Sequence, residues 1–376
     1  MGTSDKAIRL TAAVVEVTPK TRWIFVRIST QAGLQGVGEG SLNGEEAAVL
    51  DAVRALSGGL FERAIAEPID WPAPATLAQA AAVSAVDQAL WDIAAQRRGV
   101  SVAAALGGVR RQSVPLYANI NRRTRDRSPA GFAASARDAI AAGYEAFKIA
   151  PFDEVTPPDA PRVEGALDAG LERIAATRAA IGPARDLLVD CHWRFDEAEA
   201  ETVIRAGEAQ RLYWVECPLP ETEANLPALK RLRALANARG IRLAGCELAI
   251  GQAGFAPFLR AGTYDAMMPD AKYVGGLAEM MRVADAFAAA GVAFSPHNPT
   301  GPICHAASLQ VCAAAGSVDR LEVQFDETDH FAALVDDALP HAAAGVSALP
   351  ARPGLGASLA PGIVAQLSTM TLELTP

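Results

Sequence analysis

The chain has 376 residues and 51% hydrophobic content, enough for one large domain and a smaller one. Its 34 Lys and Arg against 43 Asp and Glu give a net charge of −9, and no basic cluster interleaves with aromatics. That excludes nucleic acid and anionic membrane as partners and favours a small-molecule enzyme.

No basic stretch followed by an apolar run opens the chain, and the longest apolar segment, Ala78 to Ala95, is broken by Gln79, Asp87, Gln88 and Asp92. It reads as a buried Ala-rich helix in a cytoplasmic protein. Ahead of it, Ile8 to Val17 and Trp23 to Ser29 alternate in polarity across Thr18-Pro19-Lys20-Thr21-Arg22, which predicts an antiparallel hairpin. The glycines of Gly36-Val37-Gly38-Glu39-Gly40 open no helix inside a βαβ unit, so they predict a turn at a sheet edge and no dinucleotide site. With a helical pattern from Glu45 to Gly108, residues 1–112 form an α+β domain.

From Val114 a new rhythm begins. Val114 to Asn121 reads as a strand with Tyr117, Asn119 and Asn121 on one face, positioned either to contact substrate or to tie down their own loop. Pro129 to Ala142 is an amphipathic helix ending at Gly143, and Ala146 to Ala150 is a strand that encloses Lys148 in apolar neighbours. Such a lysine points inward, where it is either functional or salt-bridged. Short apolar runs then end at Asp190, Glu216, Glu247, Asp270, His297 and Glu322, at spacings of 26, 31, 23, 27 and 25 residues with helix-like segments between. A polar residue closing each strand at a near-constant period predicts a parallel α/β barrel over residues 113–342, because barrel chemistry gathers where the strands' C-terminal ends meet. After residue 342 the periodicity weakens, and residues 343–376 read as a tail that packs back on the first domain.

Asp190, Glu216 and Glu247, from three successive strands, make a hard oxygen site that suits Mg²⁺. Like charges crowded in one lumen repel unless a cation neutralises them. Cys191, Cys217 and Cys246 adjoin these acids, yet alternation along a strand turns them to the helix layer as small buried groups, against a zinc thiolate site. Asp270 and His297 end neighbouring strands, where the carboxylate would fix the imidazole tautomer and make a general base. His192, two residues beyond Asp190 on the same strand face, points into the lumen as an acid opposite that base. Such a cavity can remove a proton from carbon next to a carboxylate.

The ordered set Lys148, Asp190, Glu216, Glu247, Asp270, His297 and Glu322 resembles the enolase superfamily in its mandelate racemase subgroup. So do Ala85 to Asp92 with Leu106-Gly107-Gly108, Pro269-Asp270 with Gly275-Gly276, Ser295-Pro296-His297-Asn298 and Pro353-Gly354-Leu355-Gly356. The resemblance implies a modified (β/α)₇β barrel under an N-terminal α+β capping domain completed by the C-terminal tail. Loops near Thr18 to Arg22 and Gly40 to Gly44 would close over the substrate. It further implies one Mg²⁺ per site, an even-numbered homo-oligomer from dimer to octamer, and Glu322 hydrogen-bonding the enediolate. Racemases and muconate cycloisomerases carry Lys-x-Lys on the second strand; here the pair is Lys148-Ile149-Ala150, which leaves Lys148 an electrostatic role at the substrate carboxylate. With Asp270-His297 as base and His192 as acid, the pattern is similar to acid-sugar dehydratases of the galactonate type. The expected substrate is an aldonate or aldarate, with Asn119, Asn121, Arg122 and Trp193 contacting it. A racemase or epimerase through the same enediolate, or a silent acid-sugar binder, are the alternatives.

Overall fold

The polarity alternation of the first thirty residues becomes an antiparallel sheet in which β1 (Ala7–Thr18) pairs with β2 (Thr21–Thr30), and β2 with β3 (Gln35–Glu39). These features come from a computed structural model that describes residues 5–62, 64–65, 69–336 and 339–376. One face of the sheet, carrying Leu10, Val14, Ile24 and Val26, packs on the cap helices α1 (Glu46–Phe61) and α2 (Leu77–Arg97). The other face, with Val15, Trp23 and Phe25, joins the core of the barrel. Both faces of the sheet are therefore packed, one on the cap's own helices and one on the barrel.

Helix α2 starts where the Thr76 hydroxyl accepts from the backbone of Gln79, and nearly every residue from Ala80 to Ala95 is buried. A helix buried all round, its Ser84, Asp87, Gln88 and Asp92 included, must be covered all round. The glycine run explains how: a Cβ on Gly36, Gly38 or Gly40 would stand 2.0, 1.9 or 2.2 Å from carbonyl oxygens of Ala89, Ala85 and Ala81. The segment expected to be a turn is a strand, and its glycines let β3 lie directly on the α2 backbone.

After the one-turn α3 (Val102–Ala105), the barrel follows as β4 (Ser113–Asn119), α4 (Pro129–Ala141), β5 (Ala146–Ile149), α5 (Ala166–Ile181), β6 (Asp186–Asp190) and α6 (Glu197–Ala209). It continues with β7 (Leu212–Glu216), α7 (Leu226–Asn237), β8 (Arg242–Gly245), α8 (Gly251–Ala261), β9 (Ala266–Met267), α9 (Leu277–Ala290), β10 (Ala293–Phe294), α10 (Pro302–Ala314) and β11 (Leu321–Gln324). Strands β4 to β10 pair in parallel in chain order, and β11 pairs in parallel with β4. Asp319 N–H to Phe294 O (2.9 Å) and Glu322 N–H to Pro296 O (3.3 Å) join β11 to β10. Seven βα units and a closing strand thus form a barrel of the (β/α)₇β kind. Inside it, Tyr117, Leu188, Trp214, Ala244 and Met268 fill the lumen beneath the strand ends, with the Tyr117 and Trp214 rings edge to face at 5.5 Å.

Beyond the short α11 (His330–Ala333), β12 (Val346–Ala348) adds antiparallel to β4, and after α12 (Pro361–Leu367) the last strand, β13 (Ser368–Leu374), pairs antiparallel with β1. The tail returns to the cap as expected. Asp92 of α2 secures it, accepting from the backbone of Leu355 (2.9 Å) and Val37 (3.1 Å). All five cysteines are free and buried, and no helix among the described residues is long and apolar enough to cross a membrane.

Candidate active site

Asp190 and Glu216 are the last residues of β6 and β7 and stand side by side in register. Glu247 lies two residues past β8, reached through Cys246 in the left-handed region (φ 71°). All three are buried, with carboxylate oxygens within 4.8 Å of one another. Burial, then the other two acids, pushes the Glu247 carboxyl well above the usual carboxylate range. Burial likewise pushes Glu216 up to about 8. Asp190 moves the other way: burial would raise it, but His192 beside it holds it low. The Glu247 Oε2 atom is buried without a hydrogen-bond partner among the described residues. Glu216 and Glu247 must otherwise take up protons, and Glu247 keeps an orphaned oxygen; with Asp190 they fit a divalent cation, which displaces those protons on binding.

Lys148 points inward and is salt-bridged: Nζ lies 2.7 Å from Glu216 Oε1 and 3.0 Å from Glu322 Oε1. Burial alone would lower its pKa, but the two carboxylates outweigh it and hold the ammonium charged. Glu322 is not the closing residue expected; it is the second residue of β11, because that strand continues to Gln324. The Tyr117 hydroxyl (3.1 Å), Asn119 Nδ2 (2.6 Å) and Asn298 N–H (3.1 Å) also donate to it.

On the opposite wall, His297 Nδ1 is 2.7 Å from Asp270 Oδ2, and Nε2 is 3.4 Å from the orphaned Glu247 Oε2. Asp270 and His297 lie past the ends of β9 and β10, where a single parallel bridge still aligns them. Burial lowers the imidazole's pKa against the pull of Asp270. His192 occupies a different local structure from that expected. It follows β6 on a left-handed turn (φ 48°) and not on a strand face, its N–H donating to Asp190 Oδ1 (2.9 Å) and its Nε2 3.0 Å from Asp190 Oδ2. The neighbouring Asp190 raises its pKa.

Lys148, Asp190, His192, Glu247 and His297 line one cavity of about 270 Å³, while Glu216, Asp270 and Glu322 are not among its lining residues. Asn119, Asn121 and Arg122 form part of its wall, although Asn119 is held by Glu322, Asn121 by Arg127 (2.8 Å) and Arg122 by Glu327 (3.2 Å). Trp193 is not among the lining residues; its side chain donates to Glu221 instead. Both cap loops reach the cavity, through Thr21 and Arg22 and through Ser41 and Asn43, and the Arg22 N–H donates to Asn43 Oδ1 at 2.8 Å.

Residues 7–107 match the mandelate racemase/muconate lactonizing enzyme N-terminal domain, and residues 131–363 match the enolase C-terminal domain-like family. The chain belongs to this family of the enolase superfamily. It is 34% identical over 254 residues to D-gluconate dehydratase of Thermoproteus tenax, covering 66% of this chain but only 48% of that protein. To D-galactonate dehydratase of Variovorax paradoxus (strain S110) it is 31% identical over 301 residues, 77% of this chain and 75% of the relative. A mandelate racemase/muconate lactonizing enzyme-like protein from Rubrobacter xylanophilus superposes with a TM-score of 0.85 at 26% identity, over 100% of this chain and 99% of the other.

In this enolase-superfamily member two site residues escape the sequence reading. Lys272 Nζ is 2.7 Å from Asp270 Oδ2, and its own N–H donates to Asp270 Oδ1, also at 2.7 Å. The i, i+2 spacing in Pro269-Asp270-Ala271-Lys272 carried the signal, but it marks a turn and not a strand face. Glu221 lies in the loop after Glu216, half-buried among polar partners, with no periodic position to betray it.

Proposed function

We propose that this chain is a Mg²⁺-dependent dehydratase of a sugar acid, an aldonate or aldarate, that yields a 2-keto-3-deoxy acid. The observation that carries the reading is the Asp270-His297 pair set against the carboxylate triad, with Nε2 3.4 Å from Glu247 and Nδ1 anchored at 2.7 Å. The relatives named as gluconate and galactonate dehydratases support the substrate class.

Asp270, accepting the Nδ1 proton, keeps His297 in the tautomer whose Nε2 lone pair faces the cavity. Nε2 takes the proton α to the substrate carboxylate, and the C–H electron pair moves into that carboxylate. Lys148, charged and within the same wall, balances the developing negative charge. A Mg²⁺ held by Asp190, Glu216 and Glu247 would supply further positive charge at the same oxygens. His192 gives a proton to the departing β-hydroxyl, so that water leaves, and the enol left behind becomes the keto acid. The cavity wall, including Arg22 and Arg122, excludes bulk water and offers cations to the distal end of the substrate.

The test is exchange of the α proton in deuterated solvent. His297→Asn abolishes it, and unchanged exchange would remove His297 as base. A second reading, racemisation or epimerisation, draws on His192 standing beside Asp190 on the other flank, where it could serve as a second base. Product mass separates the two, since only dehydration loses water. Absence of turnover across an acid-sugar library with added Mg²⁺, alongside ligand-induced stabilisation, would instead mark a binding protein.

A further inference from the structure

Each of the three ligand-bearing strands runs into a left-handed turn. His192 (φ 48°) and Trp193 (φ 58°) follow Asp190, Cys217 (φ 46°) follows Glu216, and Cys246 (φ 71°) precedes Glu247. None is glycine, and for an L-residue this conformation is strained unless its surroundings hold it. Something must fix these turns.

Glu221 touches all three. Its Oε1 accepts the N–H of Cys246 at 2.6 Å, lies 3.9 Å from the Cys217 thiol, and its carboxylate takes a hydrogen bond from the Trp193 side chain. The fully buried Tyr264, two residues before β9, donates its hydroxyl to the same oxygen at 2.9 Å. The fit leaves no slack: a Cβ on Gly245 would stand 2.4 Å from Glu221 Oε1 and 2.6 Å from the Tyr264 ring. Glu221 does not line the cavity, so it touches neither substrate nor the reacting atoms.

We infer that Glu221 is a positioning residue that clamps the three turns together, so that Asp190, Glu216 and Glu247 converge before a cation arrives. The inference rests on the reading of that triad as a divalent-cation site. Polar groups behind metal ligands typically change affinity by about 10–100-fold when removed. Here one such group serves three ligands at once.

The experiment titrates the intact protein with Mn²⁺, free ion being followed by electron paramagnetic resonance, for wild type, Glu221→Ala and Glu221→Gln. Glu221→Ala weakens Mn²⁺ binding by about 10–100-fold while the far-ultraviolet circular dichroism stays that of wild type. Glu221→Gln, which keeps an acceptor oxygen in place, stays near wild type. Wild-type affinity in a folded Glu221→Ala protein overturns the inference, as does a Gln variant as weak as the Ala variant. If Glu221→Ala does not fold, Tyr264→Phe and Trp193→Phe each remove one donor and weaken binding several-fold, and unchanged affinity in both overturns the inference. A wild-type protein that binds no Mn²⁺ overturns the metal reading itself, and this inference with it.

Discussion

Glu39, the last residue of β3 in the cap, accepts the hydroxyl proton of Thr300 at 2.6 Å across the boundary with the barrel. The same carboxylate takes the N–H groups of Gly301 (2.8 Å) and Cys304 (2.9 Å), so a residue of the cap closes the N-terminus of α10. Thr300 is three residues from His297, which makes the contact a strut for the proposed base. Glu39→Ala leaves buried donors without an acceptor and is expected to lower stability by about 3–5 kcal/mol, with turnover falling as well. Thermal denaturation and initial rates check both; unchanged rates would separate the strut from the chemistry.

Lys148 is the only cation within salt-bridge distance of Glu216 among the described residues, and both side chains are buried. In Lys148→Met two buried carboxylates lose their counter-charge, at a cost of about 3–5 kcal/mol without metal. Mg²⁺ would take over part of that role at Glu216. The expected result is a larger rise in Tm on adding Mg²⁺ for Lys148→Met than for wild type. Equal rises would show that lysine and metal do not share Glu216.

Asp270 holds His297 through Oδ2, the oxygen that also receives Lys272 Nζ. Asp270→Asn removes the charge and the enforced tautomer, so kcat should fall by about 10²–10⁴-fold with a much smaller change in KM. A variant that loses only KM would make Asp270 a binding group.

Asp87 of α2 accepts the N–H of Leu277 at the start of α9 (2.7 Å), and burial pushes its carboxyl up from 3.8 to about 7. The unfolded chain therefore releases this proton at lower pH than the folded one. The stability it contributes is present below the unfolded value and is lost as pH rises toward 7, by at most about 1.4 kcal/mol per unit. Asp87→Asn, a neutral acceptor throughout, should show a Tm that gains on wild type between pH 5 and pH 8. A constant gap would mean that Asp87 titrates normally.

The barrel was legible because its rhythm is dictated by a repeated need to bury one strand and one helix, and the ligand set because polar residues at strand ends interrupt that rhythm. What stayed hidden was the backbone at those ends. β9 and β10 have only two paired residues each, so Asp270 and His297 sit in loops that pattern reading had absorbed into strands. Alternation places His192 on a strand face, whereas the backbone that carries it is a left-handed turn (φ 48°) that no alternation encodes. Lys272 and Glu221 act through partners distant in sequence or in turns, where no period exists. The Gly36 to Gly40 run was visible, but only the α2 backbone lying against it gives the reason.

The pairing of β13 with β1 also sets an order of events during synthesis. The ribosome emits the first cap strands, then the entire barrel, and only afterwards the segment that flanks β1. A nascent chain can therefore assemble the strands that carry Asp190 and Glu216 while β1 still presents a bare edge. Sealing that edge is one of the final acts of maturation, and until then a growing chain is exposed to a neighbour that could offer a strand of its own.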